Sequence, residues 1–433
     1  MLSAKSSKPG HRVSRLACTV FFLIAMALPV TAQEDVQTDT GSERVRRFGG
    51  PDQVENQITE DETSVSRVVE KRLVEPYFEW KKSLQEKYGL SFGVDYSAVY
   101  LKASDSPAGA EDRASSGIAR FFGAWDLIGR KSGNTGAFVW KVEHRHKYTD
   151  IPPQSFGFNL GYAGLIEPPF SDQGFRWTNL YWRQRWNKER ITLFAGFLDA
   201  TDYVDVYALA SPWTGFLNFA FSTGSLTIPV PNDAALGAAA GGMLSENFFV
   251  IGGLVDRNAD PTKPFDGFDT FFNDNEYFTS LEFGWTPSHD RIYLDNAHIT
   301  FWHADERTKA GEPKGWGFNV SFTRYLAGKW LPFIRAGYAE DGGSLAQKSV
   351  SAGVGYQPVP KGDLLGFGLN WNEPNETTFG PGLDDQYTAE VFYRWQLTPQ
   401  LAITPDVQLL INPALNPQES SIWVFGLRAR LAL

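Results

Sequence analysis

The sequence predicts an all-β fold: a closed, transmembrane antiparallel β-barrel of about sixteen strands. Three observations carry that reading. In the last stretch, 422–433, Trp423, Phe425, Leu427, Ala429, Leu431 and Leu433 alternate with Val424, Gly426, Arg428, Arg430 and Ala432. Successive strand side chains point to opposite faces, so one face is wholly apolar while the other holds two arginines. Connections between such stretches alternate long and short, as in a barrel with long outer loops and short periplasmic turns. The chain is also 15% aromatic with a mean hydropathy of −0.29. That suits aromatic girdles at two membrane interfaces and excludes a bundle of apolar helices.

Taken in order, residues 1–32 read as a secretory signal peptide. Lys5, Lys8, Arg12 and Arg15 form its positive region, 16–30 its apolar core and Val30-Thr31-Ala32 a small-residue cleavage site. The single cysteine, Cys18, lies inside it. The exported chain would therefore have no thiolate ligand and no disulfide, and no cofactor or metal is expected. Losing four basic residues takes the formal charge from −10 to −14, which leaves no basic footprint for a nucleic acid. Residues 33–72 are polar and charged and read as a flexible periplasmic leader. Residues 73–88 suit a short helix that covers or plugs the barrel mouth, with Phe78, Trp80 and Leu84 as its apolar contacts.

The barrel proper takes up 89–433. Sixteen strands are expected at about 89–101, 115–128, 136–148, 174–187, 190–199, 233–243, 246–257, 276–286, 291–304, 315–325, 330–340, 347–357, 364–372, 386–397, 401–411 and 421–433. Trp316, Phe318, Val320 and Phe322 alternate cleanly with Gly317, Asn319, Ser321 and Thr323. Long and short connections follow one another in strict order, which a secreted β-sandwich has no reason to do. The third long connection, 200–232, has 33 residues and needs a reason for that length. It carries Asp202 and Asp205 after Asp199, then Trp213, Phe216, Phe219 and Phe221. So apolar a segment is expected to fold inward against the wall, although packing over the outer mouth is the alternative.

Fixing register by the lipid-facing alternation assigns the charged residues to the lumen. These are Asp95, Arg120, Asp126, Lys141, Glu143, Arg145, Arg183 and Arg185 on the first strands, and Glu390, Arg394, Asp406, Gln408, Arg428 and Arg430 on the last. A midplane Arg or Lys facing lipid would cost about 2–4 kcal/mol. Closure places the last strand beside the first, so the two groups form one wall rich in arginine, with Arg335 on a strand between them. Asp199, Asp202 and Asp205 are expected to oppose that wall across a constriction, since opposed charges are a selectivity device in pores.

Several segments resemble the carbohydrate-selective (OprB-type) outer-membrane porins. They include Trp125 to Arg130, Val142 to His146, Asn179 to Gln184, Gly196 to Asp199, Phe216 to Phe221, Phe301-Trp302-His303, Glu390 to Arg394, and Ile403 to Gln408 with Asn412-Pro413. The resemblance runs from about Pro76 to the end. It implies a sixteen-stranded barrel admitting monosaccharides such as glucose through an eyelet of arginines, acids and aromatics. Two departures stand out: the family usually ends in an aromatic where this chain has Leu433, and the polar leader is longer than the pattern needs.

Sugar chemistry agrees with that implication. Hydroxyls pair with Arg, Asp, Glu and Gln, and C–H faces rest on aromatic rings, for which Trp302 and Trp213 are candidates. A passage site binds weakly, so no deep pocket is expected. His144 and His146 at i, i+2 lack a third ligand nearby, and no nucleophile with a base partner or phosphate-cradling loop stands out. The reading is a non-enzymatic porin. A general or anion-leaning porin is the first alternative, and a barrel enzyme or adhesin the second. Expected partners are small sugars, outer-membrane lipid and the barrel-assembly machinery through the last strand, with a homo-oligomer as an open alternative.

Overall fold

The computed structural model describes residues 48–433. The expected signal peptide and the first part of the expected leader lie outside the described residues. Sixteen strands close into one antiparallel barrel in chain order. They are β1 (Leu90–Ala103), β2 (Arg113–Ile128), β3 (Gly136–Lys147), β4 (Gly174–Trp186), β5 (Ile191–Leu198), β6 (Ala235–Met243), β7 (Phe248–Asp256) and β8 (Tyr277–Trp285). There follow β9 (Asn296–Ala304), β10 (Gly315–Thr323), β11 (Trp330–Asp341), β12 (Ala346–Tyr356), β13 (Leu364–Pro374), β14 (Gln386–Gln396), β15 (Leu401–Ile411) and β16 (Ser421–Ala432). The wall closes where β16 meets β1, with Ala429 opposite Ala98 and Arg430 opposite Ser97. Leu433 continues the ladder, exchanging backbone hydrogen bonds of 2.8 and 3.0 Å with Val94.

Burial follows the two-residue period. On β16, Trp423, Phe425 and Leu427 are exposed on the outer face, and Val424, Arg428 and Arg430 are buried inside. The connections alternate less strictly than the sequence suggests. The turn-side segment 286–295 is longer than the loop-side segment 342–345. The cause is that Ile292 and Tyr293 are buried at the inner mouth, so their apolar spacing mimics strand.

Among the described residues, three segments fill the lumen. The 199–234 connection folds inward, as its apolar content predicts. Its Tyr207, Leu209, Phe216 and Phe221 pack on wall residues Leu331, Phe333, Leu364 and Phe392. Burying each such side chain contributes roughly 1.5–3 kcal/mol. Gly368 leaves room for the Phe221 ring, because a Cβ there would lie 2.7 Å from it. The second loop, 148–173, folds in as well, which the sequence reading did not anticipate. Its short helix α3 (Pro153–Asn159) and Tyr162, Ile166 and Phe170 pack against Val99, Leu101, Ile422 and Val424.

The third segment corrects the flexible-leader expectation. Helix α1 (Val54–Thr63) begins at Gln53, whose side-chain oxygen accepts from the N–H groups of Glu55 and Asn56. Val54 and Ile58 join the wall cluster of Phe122, Val139 and Tyr181, so this helix sits inside the barrel. The chain then runs along the turn side, where the Ser66 hydroxyl donates to the carbonyls of Gln396 and Leu397. Helix α2 (Glu75–Tyr88) ends on Gly89 in the left-handed region at φ +76°. It neither covers nor plugs the mouth. Tyr77 and Trp80 pack edge-on against Phe92 on the outer face of β1.

Candidate functional site

Among the described residues, two chambers lie within the barrel. The outer one, about 340 Å³, lies between the loops and a floor formed by Lys141, Glu143, Arg145, Arg176, Asp199 and Asp233. The inner one, about 120 Å³, opens on the turn side and is lined by Asp61, Arg394, Gln396 and Arg430 among others. Both are walled by Pro51, Asp52 and Trp213. The two chambers meet at these residues.

The floor is a network of charge-assisted hydrogen bonds. Arg145 Nε donates to Glu143 at 2.7 Å and its Nη2 to Asp233 at 3.2 Å. Arg176 Nη2 also donates to Asp233, at 2.5 Å. Burial pushes Asp233 up, but Arg176 and Arg145 more than offset it and hold it below the usual carboxylate range. Asp199 is raised by burial and then by the charges of Asp233 and Asp202. It accepts from the Thr201 N–H and hydroxyl at 2.9 and 2.6 Å. Lys141 reaches Asp202 at 3.3 Å, and burial raises that acid to about 6 although Lys141 opposes the rise.

Of the residues singled out from sequence, Glu143, Arg145, Asp199 and Trp213 line the outer chamber. Trp213, Arg394 and Arg430 line the inner one. Trp213 is not an open platform, since the Arg120 guanidinium stacks over it at 3.6 Å from the ring centre. Trp302 corrects the sugar-platform reading. It is buried beside Phe278, 6.5 Å away and nearly parallel, and it lines neither chamber.

The remaining candidates fasten inserted chain. Glu390 accepts from the N–H groups of Leu217 and Asn218 at 2.5 and 2.9 Å. Gln408 accepts from Asn218 at 3.1 Å and donates to Asp406 at 3.0 Å. Arg428 donates to Glu167 at 3.0 Å and to the carbonyls of Pro212 and Gly215. Arg183 and Arg185 both grip Glu55 of α1, at 2.5 and 2.6 Å. Arg430 forms a two-pronged pair with Asp61 at 2.6 and 2.7 Å.

Of the acids at 199–205, Asp202 meets Lys141 of this wall at 3.3 Å. Asp205 instead turns to the far side. There it pairs with Arg335, lies 2.9 Å from His298 Nε2 and accepts from Asn319 at 2.8 Å. Its backbone is left-handed at φ +50°, a conformation these partners hold in place. The physical reason is geometric: each inserted segment supplies acids and carbonyls to the cations nearest to it.

Three floor or junction residues escaped the sequence reading. Arg176 faces inward because a bulge shifts register where Lys141–Val142 pairs with Asn179–Trp177. A one-residue bulge flips every side chain beyond it. Asp233 follows the Pro229–Pro231 stretch and Asp52 lies in the presumed leader; the acid in a Gly-Gly-Pro-Asp turn was the signal for the second.

Comparison with known proteins agrees with this architecture. A solved structure of OprB from Pseudomonas putida at high pH superposes with a TM-score of 0.65 at 14% identity, covering 86% of this chain and 99% of that one. A porin of Chlamydia pneumoniae, AaxA, is 36% identical over 74 residues, a match spanning 16% of this chain and only 17% of that porin. Sixteen strands with an apolar outer face place the protein in the bacterial outer membrane. Residues 132–433 match the model of the carbohydrate-selective porins, OprB family, and the chain belongs to that family.

Proposed function

We propose that the chain passes small neutral sugars, glucose-like monosaccharides foremost, by diffusion across the floor of the outer chamber. The observation that carries this reading is the charge balance of that floor. Lys141, Arg145 and Arg176 stand among Glu143, Asp199 and Asp233. A hydroxyl both donates and accepts, so a sugar can exchange partners with guanidinium and carboxylate in turn. An anion gains from the cations only what it loses to the acids. The anion-leaning alternative rested on the arginine surplus of the wall. Arg183, Arg185 and Arg430 are paired with Glu55 and Asp61, and this supports setting that alternative second.

The solute crosses unchanged, with no covalent step. In the same reading β16 is recognised by the barrel-assembly machinery. Any assembly of copies would use the apolar outer wall. Liposome swelling with glucose and with a carboxylate of equal size tests the transport reading. Glucose is expected to permeate several-fold faster, and equal rates would remove the sugar preference. Release of fatty acid from the liposomes would point to an enzyme instead.

A further inference from the structure

The lumen contains a segment that precedes the barrel in the chain. Gly49 takes φ +103°, and a Cβ on Gly50 would lie 2.8 Å from Val206. These two glycines therefore let the backbone turn and press against the third loop. The Gly50 N–H donates to the Asp202 carbonyl at 2.6 Å. The Ser211 hydroxyl donates to Asp52 at 2.6 Å, and Lys141 donates to the Asp52 carbonyl at 3.0 Å. Below this turn, α1 is pinned to the wall through Glu55 and Asp61. Pro51, Asp52 and Trp213 are the residues that both chambers share.

We propose that residues 49–53 are the second jaw of the eyelet, and that Asp52 with the α1 acids fixes the size and charge of what crosses. The third loop is one jaw only. The α1 acids also neutralise Arg183, Arg185 and Arg430, cations that an empty lumen would present to the solute. The segment therefore narrows the passage and cancels its positive charge together. This rests on the reading of the lumen as a diffusion pathway.

The test is planar-bilayer recording of the full chain, of a variant lacking residues 48–63, and of Asp52→Trp. The deletion is expected to raise single-channel conductance at least threefold and to move the reversal potential in a salt gradient toward anions. Asp52→Trp is expected to lower conductance and glucose-driven swelling several-fold. A deletion variant that folds, by its heat-modifiable migration on gels, yet keeps both conductance and reversal potential would overturn the proposal. Where the deletion fails to fold, an Asp52→Trp protein with unchanged conductance and swelling overturns it. Absence of glucose permeation in the parent would remove the sugar reading, and the conductance comparison would still decide on the jaw.

Discussion

The carboxylate of Glu167 and the guanidinium of Arg428 lie 3.0 Å apart, with side-chain exposures of 0% and 1%. The pair joins the second loop to the last strand. Burial pushes Glu167 from 4.5 up to about 8, and Arg428 offsets only part of that. Its Oε2 has no hydrogen-bond partner among the described residues.

A carboxyl raised in this way binds its proton more tightly when the loop is docked. Docking is therefore fully supported below about pH 4.5 and weakens as pH rises toward 8. Amide exchange across 148–173, corrected for intrinsic rates, is expected to be faster at pH 8 than at pH 5. Glu167→Gln, which keeps the shape without the titration, should flatten the difference. Equal protection of the parent at both pH values would refute the assignment.

The floor gives a charge prediction. Replacing Arg145 and Arg176 by alanine leaves Lys141 facing Glu143, Asp199 and Asp233. The passage should become cation-preferring, and glucose swelling should slow several-fold. Reversal potentials in a salt gradient measure the first effect, and an unshifted value would separate these residues from the passage.

The third loop is held by ring packing. Phe216 lies 4.7 Å from Phe221, 5.0 Å from Phe392 and 5.8 Å from Phe333. Phe216→Ala is expected to cost about 3–5 kcal/mol, seen as a lower unfolding temperature in detergent. Removing 206–226 should raise conductance several-fold; the same conductance as the parent would mean that the loop does not bound the eyelet.

Arg428→Ala combined with Arg430→Ala strips the cation from Glu167 and from Asp61. Breaking a buried pair from one side costs about 3–5 kcal/mol, so both the second loop and α1 should loosen. Sugar block of ion current is expected to weaken. Intact block would mean that neither arginine shapes the passage.

The barrel was legible because lipid demands apolar side chains at every second position, as on β16 and β10. The inward third loop was legible because Trp213, Phe216 and Phe221 could not stay in solvent. The inserted α1 was not. A helix surrounded by charged wall residues is itself polar, so VENQITEDET reads the same whether water or Arg183, Arg185 and Arg430 lie around it. Arg176 was lost to a register shift that one sequence does not reveal. Trp302 was placed on the correct face, yet an inward ring can be sealed between Phe278 and the strand glycines as readily as it can meet solute.

Arg430 holds Asp61 and Asp95 at once. The first of these is 369 positions away in the chain, and contacts of such separation form late because the loop entropy must be met first. An unzipped barrel leaves Asp61 without this cation, while Asp95 keeps Arg120 of the neighbouring strand. Completion of the wall and seating of α1 are thus one event, and a half-assembled protein holds neither.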